Sequence, residues 1–137
     1  MHKKVIVEIT TYKSIYDAWN VFINPDYITQ WNYASDSWCC PTAINDFVIH
    51  GTFSYLMQSK DKKHGFTFSG KYISIIEQRE IVYELDDGRI VQVDFIQEGD
   101  KVIVRETFDA EKSNPIEIQR TGWQSILNRY KMVLERM

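Results

Sequence analysis

From Val5 to Thr11 apolar and polar residues alternate and β-branched side chains dominate, a period of two that predicts a strand. Ser14 then offers a cap, and Ile15, Ala18, Trp19 and Phe22 recur at helical spacing until Asn24-Pro25 stops the helix. Asp26 to Trp31 reads as a further short helical turn, followed by an irregular, aromatic-rich stretch through Pro41. Alternation returns from Asp46 to Met57, with Phe47, Ile49, Phe53, Tyr55 and Met57 on one face of a predicted strand. A polar loop ends at Gly65, and in Phe66 to Tyr72 the pattern is interrupted at Gly70, as a bulge or bend in a curling sheet requires. Ile81, Tyr83 and Leu85 form the next apolar face. Asp86-Asp87-Gly88-Arg89 signals a hairpin into Val91, Val93 and Phe95, and Glu98-Gly99-Asp100 turns into Val102, Val104, Glu106 and Phe108. After Asn114-Pro115 the period changes to that of a helix. Trp123, Ile126, Leu127, Tyr130, Val133 and Leu134 make one apolar stripe, predicting a helix from about Pro115 to Arg136. At the standard rise it is roughly 30 Å long, enough to cross a sheet.

Strands followed by one long helix predict an α+β fold, a curved antiparallel sheet gripping the C-terminal helix, with two short helices after the first strand. The 137 residues suit one domain, 1–137, with one core. A 14% aromatic share, from four Trp, eight Tyr and seven Phe, is rich enough to furnish pocket walls as well as a core. The net charge of −3, with scattered Lys and Arg, argues against a nucleic-acid surface. No apolar run is long enough for a signal peptide or membrane span, and the only cysteines are adjacent, Cys39-Cys40. Free thiols in a reducing cytoplasm are the expectation, since neighbouring cysteines rarely bridge.

Particular words in the chain resemble a known family. They are Gln30-Trp31-Asn32-Tyr33-Ala34-Ser35, Trp38 with Cys40-Pro41, Asn45-Asp46, and Gly65-Phe66-Thr67-Phe68-Ser69-Gly70-Lys71-Tyr72. Asp87-Gly88-Arg89, Glu106-Thr107-Phe108, Asn114-Pro115 and Gln119-Arg120-Thr121-Gly122-Trp123-Gln124-Ser125-Ile126-Leu127 complete the set. Together they resemble the START-like (SRPBCC) helix-grip superfamily. Within it they are similar to the activators of heat-shock protein 90 ATPase, whose bacterial members are often labelled polyketide-cyclase-like. There are two departures. Relatives with the Trp-x-Cys-Pro word usually carry His at the position of Cys39. Many also carry a Gly-Gly pair, two residues after an Arg, where this chain has His50-Gly51 and Val48.

Glu106 shares the parity of Val102, Val104 and Phe108 and therefore points to the apolar face, where a carboxylate is costly unless paired. It reads either as an acid/base or polar ligand anchor, or as a structural partner of a nearby Arg, Tyr or Trp. Arg120 could aim at the cavity mouth and pair with it, whereas Arg89 reads as a solvated turn residue. Parity and helical phase place Trp31, Trp38 and Phe47 at one end of a cavity, and Phe68, Tyr72, Phe95, Trp123, Ile126 and Tyr130 along its length. Asn32, Tyr72 and Glu106 would orient a ligand there. The three histidines, His2, His50 and His64, form no set, and no metal or cofactor motif is present, so neither is expected.

Three functions compete. The first is binding of a small hydrophobic or aromatic molecule, lipid- or polyketide-like, between sheet and helix. The second, implied by the resemblance to aromatases and cyclases, is an enzyme using Glu106 and Tyr72 for proton transfer. The third is a co-chaperone-like interaction domain, with a chaperone or a second copy as the exposed partner.

Overall fold

The computed structural model describes residues 3–137; His2 lies outside them. The order of elements is β1 (Lys4–Thr11), α1 (Ile15–Ile23), α2 (Pro25–Trp31), β2 (Trp38–Asn45), β3 (Thr52–Ser59), β4 (Gly65–Ile76), β5 (Glu80–Leu85), β6 (Ile90–Glu98), β7 (Lys101–Asp109) and α3 (Ile116–Glu135). The strands form one curved, fully antiparallel sheet of seven, ordered β1-β7-β6-β5-β4-β3-β2. From β2 onward each strand pairs with the next. β1 instead pairs with β7, so α1 and α2 carry the chain from one sheet edge to the other. This is the expected helix-grip fold.

Local chemistry sets the element ends. The Ser14 hydroxyl accepts from the Asp17 amide, and the Asn24 side chain accepts from the Asp26 amide with Pro25 at the first helical position. Asn24 thereby closes α1 and opens α2. Gly88, at φ 92°, turns β5 into β6.

The sequence reading of a single strand over Asp46–Met57 is incorrect. β2 ends at Asn45, residues 46–51 form a tight turn, and β3 starts at Thr52. Val48 and Ile49 are 55% and 51% exposed, so Ile49 does not share the inner face of Phe53 and Tyr55. The stretch through Pro41 is likewise not irregular throughout. It contains the first half of β2, an edge strand whose register shifts between Cys39 and Thr42, where Pro41 has no amide to give the ladder. Gly70 is not a bulge, since it pairs in register with Phe53 and Leu85, and the register shift on β4 falls between Tyr72 and Ser74. Gly70 is instead a close approach. A Cβ there would lie 2.9 Å from the Phe53 ring and 2.5 Å from the Glu84 carbonyl oxygen, so the missing side chain lets Phe53 lie flat across β4.

The 46–51 turn holds a strained residue. His50 has φ 71°, the left-handed region. An L-residue is disfavoured there by roughly 1–2 kcal/mol. His50→Gly should therefore stabilise the fold by up to about 1 kcal/mol after its larger loss of chain entropy, raising Tm by a few degrees in a thermal melt. An unchanged or lower Tm would show that the His50 side chain makes a compensating interaction.

Candidate functional site

The helix α3 is fastened along one side of the concave face. The Gln124 amide donates to the Glu8 carbonyl of β1 at 3.1 Å, and the Thr11 hydroxyl donates to Glu135 at 3.0 Å. The Tyr130 hydroxyl donates to the Ala18 carbonyl of α1, and Trp123 stacks on Phe108 of β7 at 4.0 Å between ring centres. At the N-terminal end Pro115 supplies no side-chain cap. The buried Gln119 holds that end instead: its amide donates to the Glu111 and Asn114 carbonyls, and its oxygen accepts from the Glu111 amide at 2.8 Å.

With the helix held toward β1 and α1, the concave face of β3, β4 and β5 is not covered by it. A cavity of about 330 Å³ results. Phe53, Tyr55, Met57, Phe66, Phe68, Tyr72, Ile81 and Tyr83 form its floor. Gly122, Trp123 and Ile126 of α3 form a wall, and Phe22, Ile23, Trp31, Asn32 and Ala34 close one end. Phe66 and Ile118 are more than half exposed at the rim. The loop bearing Ala34 is tied to the helix through Asp36, which accepts from Arg129 at 2.9 Å, and through Tyr33, whose ring lies 4.3 Å below the same guanidinium.

Seven residues expected to touch a ligand line this space: Trp31, Asn32, Phe68, Tyr72, Glu106, Trp123 and Ile126. Five do not. Phe47 packs edge-on against Trp19 and Tyr72 at the margin of the aromatic core, and Phe95 packs edge-on against Trp19 and Phe22 within it. Tyr130 belongs to the same core through Phe22 and Trp31, with its hydroxyl committed to Ala18. Trp38 lies against Phe66 without reaching the cavity. Arg120 pairs with Glu117 one turn earlier, at 2.8 Å, and not with Glu106.

Arg89 reverses its expected role. It continues the inward parity of Val91 and Val93, is largely buried, and lines the cavity while its Nε donates to Asp87 at 2.8 Å. Tyr83 was legible as an apolar-face residue, but the placing of its hydroxyl near both Glu106 and Arg89 was not.

Glu106 lies between Val7 of β1 and Val93 of β6 and is 6% exposed. It has no hydrogen-bond or ion-pair partner among the described residues. Burial alone pushes its carboxyl up to about 8, so it holds its proton at neutral pH. Burial also raises Tyr83 and Tyr130, with Glu106 adding to both, and raises Tyr55 well above the phenol range. Tyr72 is pushed up to about 12 by burial, although its hydroxyl donates to Asn45 at 2.6 Å. Asn45 in turn donates to the Ile23 carbonyl, so this polar chain is internally satisfied. The buried Asn32 amide nitrogen, by contrast, has no partner within ordinary hydrogen-bond distance among the described residues, and the Cys40 thiol is the group it comes near. Cys40 beside it is raised to about 11, by burial first and then by Cys39, which leaves an un-ionised and weakly nucleophilic thiol. Among the described residues no group of three or more His, Cys, Asp or Glu could hold a metal ion.

Two outcomes follow. Gln119→Ala should lose three part-buried hydrogen bonds to the backbone of Glu111 and Asn114, costing about 2 kcal/mol and several degrees of Tm; a change under one degree would contradict the role given to Gln119. For Glu106 the sign is set by the proton. The folded state binds it more tightly than the unfolded chain, whose carboxyl titrates near 4.3. The stabilisation is complete below about pH 4 and is lost as pH rises through about 8. Glu106→Gln, which cannot ionise, should gain on the parent over that window by on the order of a few kcal/mol in denaturant titrations. Parallel stability profiles would contradict it.

A family described as Activator of Hsp90 ATPase homolog 1-like protein matches residues 14–135. The solution structure of an AHSA1-like protein from Aeromonas hydrophila is 34% identical, with a TM-score of 0.88 over 96% of this chain and 93% of that one. A protein from Cytophaga hutchinsonii is 39% identical, with a TM-score of 0.85 over 97% of this chain and 92% of its own. CalU16 from Micromonospora echinospora, 14% identical, shares the fold with a TM-score of 0.72 over 97% of this chain and 76% of that one. No curated protein gives a significant sequence match. Among the described residues no helix is long and apolar enough to cross a membrane. Fold, sequence words and match agree that this chain belongs to the Activator of Hsp90 ATPase homolog 1-like family, within the START-like helix-grip superfamily.

Proposed function

We propose that the protein binds a small hydrophobic or aromatic molecule in the cavity between β3–β5 and α3. One observation carries this reading: an aromatic-walled space of about 330 Å³ lined by Glu106, whose carboxyl has no hydrogen-bond or ion-pair partner among the described residues, together with the hydroxyl of Tyr83 and the amide of Asn32. Polar atoms left unmatched on an apolar wall are costly in a finished core and useful in a binding site, where a ligand completes them. The volume lies at the lower end of the roughly 300–1,000 Å³ usual for small-molecule sites. It suits a compact ring system or single short chain better than a two-chain lipid.

Trp31 and Trp123 line the cavity and make binding observable. Titration with planar aromatics and single-chain lipids should change tryptophan emission and raise Tm, by about 2.7 kcal/mol of stabilisation at a hundredfold excess over Kd. If no compound in the panel does either, the reading is wrong.

A second reading is favoured by Glu106 alone. A carboxyl held near neutrality, unpaired and facing an apolar space, can exchange a proton with a bound carbonyl compound, as an aromatase- or cyclase-like general acid/base requires. On a compound that the cavity binds and converts, Glu106→Gln should abolish turnover while retaining affinity. Equal turnover in the two proteins would rule this reading out.

A further inference from the structure

The polar groups of the cavity are not scattered. Arg89 and Tyr83 are near neighbours on the concave face, because Tyr83 pairs with Val91 of β6, and Arg89 precedes Val91 by two residues, just before that strand begins. One row further in, Ile81, Val93 and Glu106 share a line across β5, β6 and β7. A cation therefore stands at one end of the sheet, followed by a phenol and then a carboxyl, all on the lining of one cavity. The Arg89 Nε is committed to Asp87, but its two terminal nitrogens have no partner among the described residues. Glu111, the other carboxylate on the lining, is occupied by Ser113 and Asn114 and forms no ion pair with Arg89. Neither the Tyr83 hydroxyl nor the Glu106 carboxyl is hydrogen-bonded among the described residues.

We propose that the ligand is a compact organic acid with a second, acceptor oxygen: its carboxylate pairs with Arg89, its apolar body lies against Phe53, Phe68 and Trp123, and its carbonyl oxygen accepts from Tyr83 and Glu106. This deepens the cavity-binding reading and rests on it. The chemistry of each position decides the polarity. A guanidinium with free terminal nitrogens donates and never accepts, and it suits a planar carboxylate. A buried, protonated carboxyl and a phenol both have a proton to give, and burial keeps both protonated at neutral pH. The surrounding lining offers no further cation, so the acid has one place to go among the described residues.

The test uses four naphthalene probes of one ring system: 6-acetyl-2-naphthoic acid, its methyl ester, 2-acetylnaphthalene and 2-ethylnaphthalene. Tryptophan quenching at pH 7 gives Kd for each against the parent protein and Arg89→Met, with a thermal melt confirming that the variant is folded. The acetyl acid should bind at least about tenfold tighter than its ester, and the variant should lose that preference while keeping affinity for 2-acetylnaphthalene. 2-Acetylnaphthalene should in turn bind better than 2-ethylnaphthalene, which presents no acceptor. Two results overturn the inference while leaving the cavity reading intact: an ester that binds as tightly as the acid, or an acid preference that survives in Arg89→Met. The ester comparison needs no variant, so a poorly folded Arg89→Met does not rescue the idea. Failure of all four probes, the uncharged ones included, would overturn the inference together with the reading beneath it.

Discussion

Everything about this site follows from where α3 is tied. An amphipathic helix over a concave sheet would bury most apolar surface by settling into the middle of the curve. Here Gln124 and Glu135 fasten it to β1, and Tyr130 fastens it to α1. Trp123 rests on Phe108 of β7, the strand next to β1. Gln119 holds the approach from β7 in one conformation, where a conventional helix cap is missing. A helix pinned on one side cannot also cover β3 to β5. The rings of those strands are left lining a space, and the fold contains a cavity because of these few polar ties.

The same geometry isolates Glu106. On an edge strand, or one row nearer to Arg89, its carboxyl would have water or a cation to stabilise an ionised form. Between Val7 and Val93 it has neither, and retaining its proton is the least costly state. An un-ionised acid has a hydrogen to donate, which makes the inner part of the cavity a donor site. Arg89 makes the outer part cationic. The apolar surface of a ligand would provide affinity, and these two positions would set its orientation.

The strands from β4 onward and α3 were legible because period-two and helical patterns there are separated by strong turn signals. β2 and β3 were not. The turn of residues 46–51 contains an even number of positions, so Phe47 and Ile49 keep the parity of Phe53 and Tyr55 straight through it. Alternation alone cannot reveal such a break, and Pro41 disguises the edge strand before it. At the site, parity identified Glu106 and the helical stripe identified Trp123 and Ile126. It could not separate residues that face a void from those that face other rings, which is why Phe95 and Tyr130 proved to be core and Phe47 to pack against it. Arg89 was misread because its position beside a hairpin glycine outweighed its parity with Val91. Gln119 carried no signal beyond membership of a family word, since its value lies in three backbone groups brought together only by the folded loop.

The central claim is that the cavity holds a protonated carboxyl at neutral pH. The most direct measurement is a carbon-13 NMR titration of the side-chain carboxyl of Glu106 in the folded protein, assigned by comparison with Glu106→Gln. The midpoint should lie near 8, with the resonance at its protonated position at pH 6. A midpoint near the ordinary glutamate value of about 4.3 would contradict this, showing a carboxylate paired or hydrated within the aromatic-walled space.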